Sequence, residues 1–245
     1  MRLVTLNTWK NEGAYPRRLE LMAEGLASLD PDVLLLQEVF IGAGWDTAGW
    51  LASRLGLHAC TVPARLKARP HKGTLQVCAS GMSILTRWPT TATHHQLPSD
   101  PRDGERIAMS VDSPGGEIRI LNLHLTHLPG PQGDDLRALQ LASALGWARS
   151  EPCSQLIVGG DLNAPASAPC LGDLWGRLLP PPEIGSTTHG AGPAIDHLVR
   201  IGGGLPQGRR VLTHPDAEGI LPSDHCGLFV EWDDGPAQVD HPPGS

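Results

Sequence analysis

An α/β fold built on open, mixed sheets is predicted from three features of the 245-residue sequence. Short apolar runs repeatedly border a carboxylate, amide or imidazole. Arg2-Leu-Val-Thr-Leu6 precedes Asn7, Asp32-Val-Leu-Leu-Leu-Gln37 precedes Glu38, Leu156-Ile157-Val158 leads into Gly159-Gly160-Asp161-Leu162-Asn163, and Ser223-Asp224-His225 opens a last run. A polar group at a strand end sits at a sheet rim, where open sheets hold their ligands. Finally, helical spacing separates the early and late runs, whereas the middle of the chain reads as antiparallel strands.

The elements follow in order. After the first strand, Leu19, Met22, Ala23, Leu26 and Leu29 recur at three- and four-residue spacing, which predicts a helix over 15–29 packed on the first strand pair. Asp30-Pro31 stops it, because the residue before proline avoids helical geometry. Residues 34–36 are apolar without alternation, as in a strand covered on both faces. A second helix is expected over 45–55, with Gly56 as its C-terminal cap. Strand-like segments come next at 58–66, 75–78, 82–85, 107–111 and 118–124, with Ser113-Pro114-Gly115-Gly116 as a hairpin turn. A third helix is expected over 136–148, then the strand into Asp161, a short helix near 171–178, and strands at 195–199, 211–213 and 226–232.

At 40% hydrophobic residues the chain encloses a large core, and one domain over 1–232 is expected. Residues 233–245 hold three aspartates and no Lys or Arg among Pro and Gly, so they form a disordered acidic tail in this reading. The net charge is −7, and without the tail 23 acids still face 19 bases. That balance disfavours a tight, sequence-independent grip on a polyphosphate backbone unless a local basic groove exists. Arg65, Lys67, Arg69 and Lys72 are the cluster able to build one, and a solvated loop is their other reading. Five cysteines without Cys-x-x-Cys spacing argue against a disulfide framework and a structural zinc site. No apolar stretch approaches the roughly 20 residues that cross a bilayer. A monomeric, cytoplasmic protein without stable membrane insertion is expected.

Six short motifs now become specific as a set: Leu6-Asn7, Leu36-Gln37-Glu38, Asn122-Leu123-His124, Gly160-Asp161-Leu162-Asn163, Ile195-Asp196-His197 and Ser223-Asp224-His225. Each is weak alone, but their order resembles that of the endonuclease/exonuclease/phosphatase superfamily over residues 2–232. The resemblance implies a four-layer α/β sandwich, two packed mixed sheets flanked by helices, with the site at one edge. His124 stands where the apurinic-site endonuclease branch carries tyrosine, so the pattern is closer to the branch of pancreatic-type deoxyribonucleases, sphingomyelinases and phosphoinositide phosphatases.

Each residue also has its own chemistry. A carboxylate after an apolar strand is costly to bury unless paired or bound to a cation, which makes Glu38 the best metal ligand, with Asn7 and Asp224 beside it. Such hard oxygen donors suit Mg²⁺ or Mn²⁺ better than zinc. A zinc pair at His124-x-x-His127 lacks a recognisable third ligand. Asp161 and Asn163 point the same way if their segment is extended. The resemblance gives Asp161 the attacking water and Asn163 a phosphoryl oxygen. An Asx turn is the plainer reading, and Gly159-Gly160 argues against it by letting a ligand approach the backbone. His225 and Asp196 read as an imidazole–carboxylate pair. Asp224 faces the other way on an extended strand. His124, with a pKa near neutrality, serves as general acid or charge neutraliser. His127 and His189 lie near the motifs and either line the pocket or sit on the surface, and Arg106 either contacts phosphate or pairs with Glu105 or Asp103.

The reading is therefore a divalent-metal-dependent phosphoesterase that hydrolyses a phosphodiester by water attack. A small or lipid-like substrate is favoured. A nuclease and an inactive phosphoryl-ligand-binding relative are the alternatives. Substrate choice is assigned to loops 64–73 and 129–134.

Overall fold

Alternation along the strands decides the architecture. The computed structural model describes residues 1–42, 44–174, 178–179, 185–201 and 208–232. The expected tail, 233–245, and residues 175–177 of the expected short helix lie outside the described residues. On β1 (Arg2–Asn7), Val4 and Leu6 face one side and Leu3 the other, and on β2 (Val33–Gly42), Leu34 and Leu36 oppose Val33 and Leu35. The first set packs against Leu19, Met22 and Leu26 of α1 (Tyr15–Ala27) and Ala48 and Leu51 of α2 (Thr47–Leu55).

The second sheet repeats the scheme. Leu121 and Leu123 of β8 (Ile118–His124) and Val158 of β9 (Gln155–Asp161) bury α3 (Gly130–Ala148) through Leu141, Ala144 and Leu145. Leu3, Val33, Leu35, Ile120 and Ile157 fill the space between the sheets. The four layers run helix, sheet, sheet, helix, in agreement with the expected sandwich. A one-residue slip of any central strand would exchange its two buried faces, and a fully buried Leu is worth roughly 2 kcal/mol, so the register is firmly set.

The remaining strands are β3 (Trp45–Asp46), β4 (His58–His71), β5 (Thr74–Thr86), β6 (Thr93–Gln96), β7 (Ile107–Asp112), β10 (Leu178–Leu179), β11 (Asp196–Ile201), β12 (Gly208–Val211) and β13 (Gly227–Glu231). Among the described residues, one sheet runs β12-β13-β1-β2-β5-β4 with β3 on β2, and the other runs β10-β11-β9-β8-β7-β6. β1–β2 and β8–β9 are parallel, each joined through a helix.

Several boundaries differ from the sequence reading for physical reasons. α2 starts at Thr47 because Asp46 caps it, accepting from the Ala48 amide at 3.0 Å, and Gly56 closes it with φ +66° as expected. α3 starts at Gly130 rather than 136, since its first turn is polar and carries no apolar period, with Pro131 supplying the fixed φ. Of residues 64–73 only 72–73 form a turn: β4 and β5 pair from His58↔Thr86 to His71↔Thr74 as one long hairpin. The short helix is a 3₁₀ segment at Pro169–Leu174. No helix among the described residues is long and apolar enough to cross a membrane.

Candidate active site

The alternation that fills the inter-sheet core continues to the rim. Leu3, Thr5 and Asn7 follow one another at two-residue steps on β1, as do Ile120, Asn122 and His124 on β8 and Ile157, Gly159 and Asp161 on β9. Parallel pairing sets Asn7 opposite Gln37 and His124 opposite Asp161. β11 is antiparallel to β9, so its first residue, Asp196, lies opposite Asp161. The segment before β13 is fastened to the same rim by a 2.6 Å hydrogen bond from Ser223 Oγ to the Asn7 carbonyl.

Asp161 is the centre. Its Oδ2 accepts from Asn7 Nδ2 at 3.0 Å, and its Oδ1 accepts from the Asn163 amide at 3.0 Å. His124 Nε2 lies 3.6 Å and His225 Nε2 3.9 Å from Oδ2. His225 Nδ1 is 2.8 Å from Asp196 Oδ2. Burial and the neighbouring Asp196 charge raise the Asp161 pKa. At His225, burial works against the proton but is outweighed by the Asp196 hydrogen bond and by the Asp196, Asp161 and Asp224 charges, so its pKa is pushed up to about 10. His124 is driven the other way, well below its ordinary value, by burial and by Arg106, Lys10, His225 and His127. That direction disfavours the charged ring, against the expectation of a pKa near neutrality.

Glu38 reaches the cleft through a local distortion. Strict alternation would send it toward the helices with Leu36, but the β2–β5 register shifts between Leu36 and Val39 and Glu38 has φ +53°. Such a bulge re-aims a side chain. Lys10 Nζ meets Glu38 Oε2 at 2.6 Å. Burial raises the Asp224 pKa, and the Glu38 charge adds to it against His225. The Glu38 and Asp224 carboxylates, with Asn7 Oδ1, which accepts from the Trp9 backbone amide at 3.0 Å, are a hard oxygen donor set beside the Lys10 ammonium. That chemistry fits Mg²⁺ or Mn²⁺. Asp161, Asp196 and His225 also bring ligand atoms within 4.8 Å of one another. We read them as a hydrogen-bonded pair beside Asp161, since His225 Nδ1 is already 2.8 Å from Asp196 Oδ2.

Asn7, Glu38, His124, Asp161, Asn163, Asp224 and His225 line one cleft of about 480 Å³, and Asp196 is buried behind His225. Three local expectations change. Asn163 has φ +51° and donates its amide to Asp161 Oδ1, so the Asx turn exists and both side chains still reach the cleft. Gly159 and Gly160 serve packing rather than ligand approach: a Cβ at Gly159 would lie 2.5 Å from Leu198 and 2.6 Å from Leu35, and one at Gly160 would lie 1.9 Å from the Leu123 carbonyl. Asp224 sits in a loop and lines the same cleft as His225.

Arg106 takes Asp103 as its partner, with Nε 2.9 Å from Oδ2, and still lines the cleft with His127. His189 does not line it; its amide donates to the Asp224 carbonyl at 3.1 Å. Sequence reasoning missed Lys10, Trp9 and Arg102 in the lining, and Thr187, whose Oγ1 accepts from the Ile195 and Asp196 amides at 3.0 and 3.1 Å. None lies at the end of an apolar run, the only signal available.

The sequence profile of the Endonuclease/Exonuclease/phosphatase family matches residues 4–225. No curated protein matches the chain. Among solved structures, an endonuclease/exonuclease/phosphatase from Beutenbergia cavernae is 20% identical with a TM-score of 0.65, covering 94% of this chain and 70% of its own. A family protein from Leptotrichia buccalis is 14% identical at TM-score 0.68, covering 94% and 98%. The human Nocturnin catalytic domain with bound sulfate is 18% identical at TM-score 0.68, covering 94% and 93%. These likenesses concern the fold.

Proposed function

The chain belongs to the endonuclease/exonuclease/phosphatase family, and on that premise we propose that it hydrolyses phosphodiesters by metal-assisted attack of water. The observation that carries the reading is the Asp161 carboxylate, buried with His124 Nε2 at 3.6 Å and His225 Nε2 at 3.9 Å and held by Asn7 and Asn163. Asn7, Glu38 and Asp224 would hold Mg²⁺ or Mn²⁺, which supplies Lewis-acid neutralisation of a phosphoryl oxygen.

The chain's own groups do the rest. Asp161, with its raised proton affinity, takes a proton from the attacking water at Oδ2. His225, charged and fixed by Asp196, presents Nε2–H to the phosphoryl oxygens as negative charge spreads over them. Asn163 spends one Nδ2 hydrogen on the Leu125 carbonyl at 3.0 Å and has a second for the substrate. His124, whose charged form burial disfavours, serves as a hydrogen-bond donor rather than as the acid.

We infer a small or lipid-like phosphodiester as substrate, with nucleic acid as the second reading because Arg65, Lys67, Arg102 and Arg106 border the cleft. The test is hydrolysis of bis(p-nitrophenyl) phosphate. Turnover should vanish with chelator and return with Mg²⁺ or Mn²⁺, and Glu38→Ala should raise the metal concentration needed by about tenfold or more without unfolding the chain. Full activity in excess chelator would end the proposal.

A further inference from the structure

We propose that Arg65 and Lys67 of β4 form a subsite for a second phosphate group of the substrate, beside the one that is cleaved. The two residues stand two apart on an extended strand, so they share a face. Both line the cleft that holds Asp161 and His225, while Leu66 between them is 72% exposed on the opposite face of the hairpin. Among the described residues neither has a carboxylate partner.

Their neighbours are already committed. Arg69 pairs with Glu12 at 2.8 Å, Lys10 with Glu38, Arg102 with Asp100 at 2.8 Å, and Arg106 with Asp103. Residues 58–86 contain no Asp or Glu, in a chain whose net charge is −7. The Arg65 charge makes the Lys67 pKa lower than usual, with burial, Arg69 and Lys10 adding to it, as expected where cations crowd one edge. Arg65 also borders the smaller recess beside Lys10, Glu38, Arg106 and His124, so it lines both recesses. A planar fork and a mobile ammonium at one edge suit a phosphate dianion, which accepts from both.

The choice of substrates rests on the hydrolase reading; the binding arm does not. Two matched pairs are compared with Mn²⁺: a thymidine dinucleotide with and without a 5′-phosphate, and glycerophosphoinositol with and without a ring 4-phosphate. In the parent protein the phosphorylated member of at least one pair should have a kcat/KM about tenfold or more above its mate. In Arg65→Gln/Lys67→Gln that ratio should fall toward one. The pair that responds identifies the source of the second phosphate. Ratios near one in both pairs, or a ratio the double variant leaves intact, would overturn the subsite. If no diester is turned over, the hydrolase reading fails by itself, and calorimetry with inorganic pyrophosphate in metal-free buffer decides the subsite. The parent should then bind at least about tenfold more tightly than the double variant; equal affinity would refute it.

Discussion

At the scale of single residues, the site is made of groups whose charge is set by what is buried beside them. Asp196 is fully buried, gives Oδ2 to His225, and leaves Oδ1 without a partner among the described residues. Asp196→Asn keeps the shape and removes the charge. It should lower kcat by roughly 10²-fold or more, and the His225 ring, titrated by NMR, should lose its proton well below its present pKa of about 10; an unmoved titration would mean that Asp196 only fills space. Asp103 is the second case. Burial raises its pKa, but the Arg106 hydrogen bond and charge, with Thr126 and His127, bring it below the ordinary carboxylate value. A folded pKa below the unfolded one gives stability that is present above about pH 4 and is lost as pH falls through the folded pKa. Asp103→Asn should therefore cost on the order of 3 kcal/mol at pH 7, because Arg106 is left buried and unpaired, and urea unfolding at pH 7 and pH 3 should show the difference shrinking with acid. Residue types at strand ends were legible in the sequence, since alternation carries Asn7, His124 and Asp161 to the rim. The aim of Glu38, Asn163 and Asp224 was not, because it depends on a bulge, a left-handed turn and a loop that no period announces.

At the scale of elements, α1 does more than cover the first sheet. Its Arg18, 1% exposed, donates to five carbonyls: Glu12 at 3.0 Å, Thr8 at 3.1 Å, Pro222 at 2.9 Å, Trp9 at 3.0 Å and Lys10 at 2.9 Å. One guanidinium thus ties the segment after Asn7 to the segment before Ser223-Asp224-His225. Burial lowers its pKa to about 10, and the Asp224 charge partly restores it. Lysine cannot reproduce the planar fork. Arg18→Lys should cost roughly 2 kcal/mol or more in urea unfolding and should raise the Mn²⁺ concentration for half-maximal activity more than it raises the substrate KM. Equal changes in the two would show that the helix supports the chain only in general. The helix spacing in the sequence revealed α1 and α2 through their apolar stripes, yet Arg18 lies outside that code. The β4–β5 hairpin was broken into pieces for a related reason: Leu66, Leu75 and Val77 are exposed, so burial does not impose a clean alternation there.

At the scale of the whole molecule, the site is divided between two sheets. Asn7 and Glu38 stand on the first, with Asp224 in the loop that leads into its β13, and His124, Asp161 and Asp196 stand on the second, with Asn163 in the turn after β9, so the proposed catalysis depends on the sheets keeping one relative position. Packing of Leu35 and Leu198 across Gly159 gives closeness but little direction. Direction comes from polar groups buried just beneath the rim. Asn122 Nδ2 donates to the carbonyls of Leu36 and Ser83 at 3.0 Å each, and its Oδ1 accepts from Gln37 Nε2 at 2.7 Å, all across the sheet boundary. Asn122→Ala would remove all three of these bonds in a fully buried place, Gln37 Nε2 keeping Thr5 Oγ1 at 3.0 Å and the Leu35 carbonyl at 3.2 Å, which costs about 2–4 kcal/mol. None of the three oxygen donors proposed for the metal is bonded to Asn122, so the Mn²⁺ concentration for half-maximal activity should change little, whereas kcat should fall by about tenfold or more as Asp161 loses its register with them. A variant in which metal affinity falls while kcat holds would show that the sheets do not set the catalytic geometry.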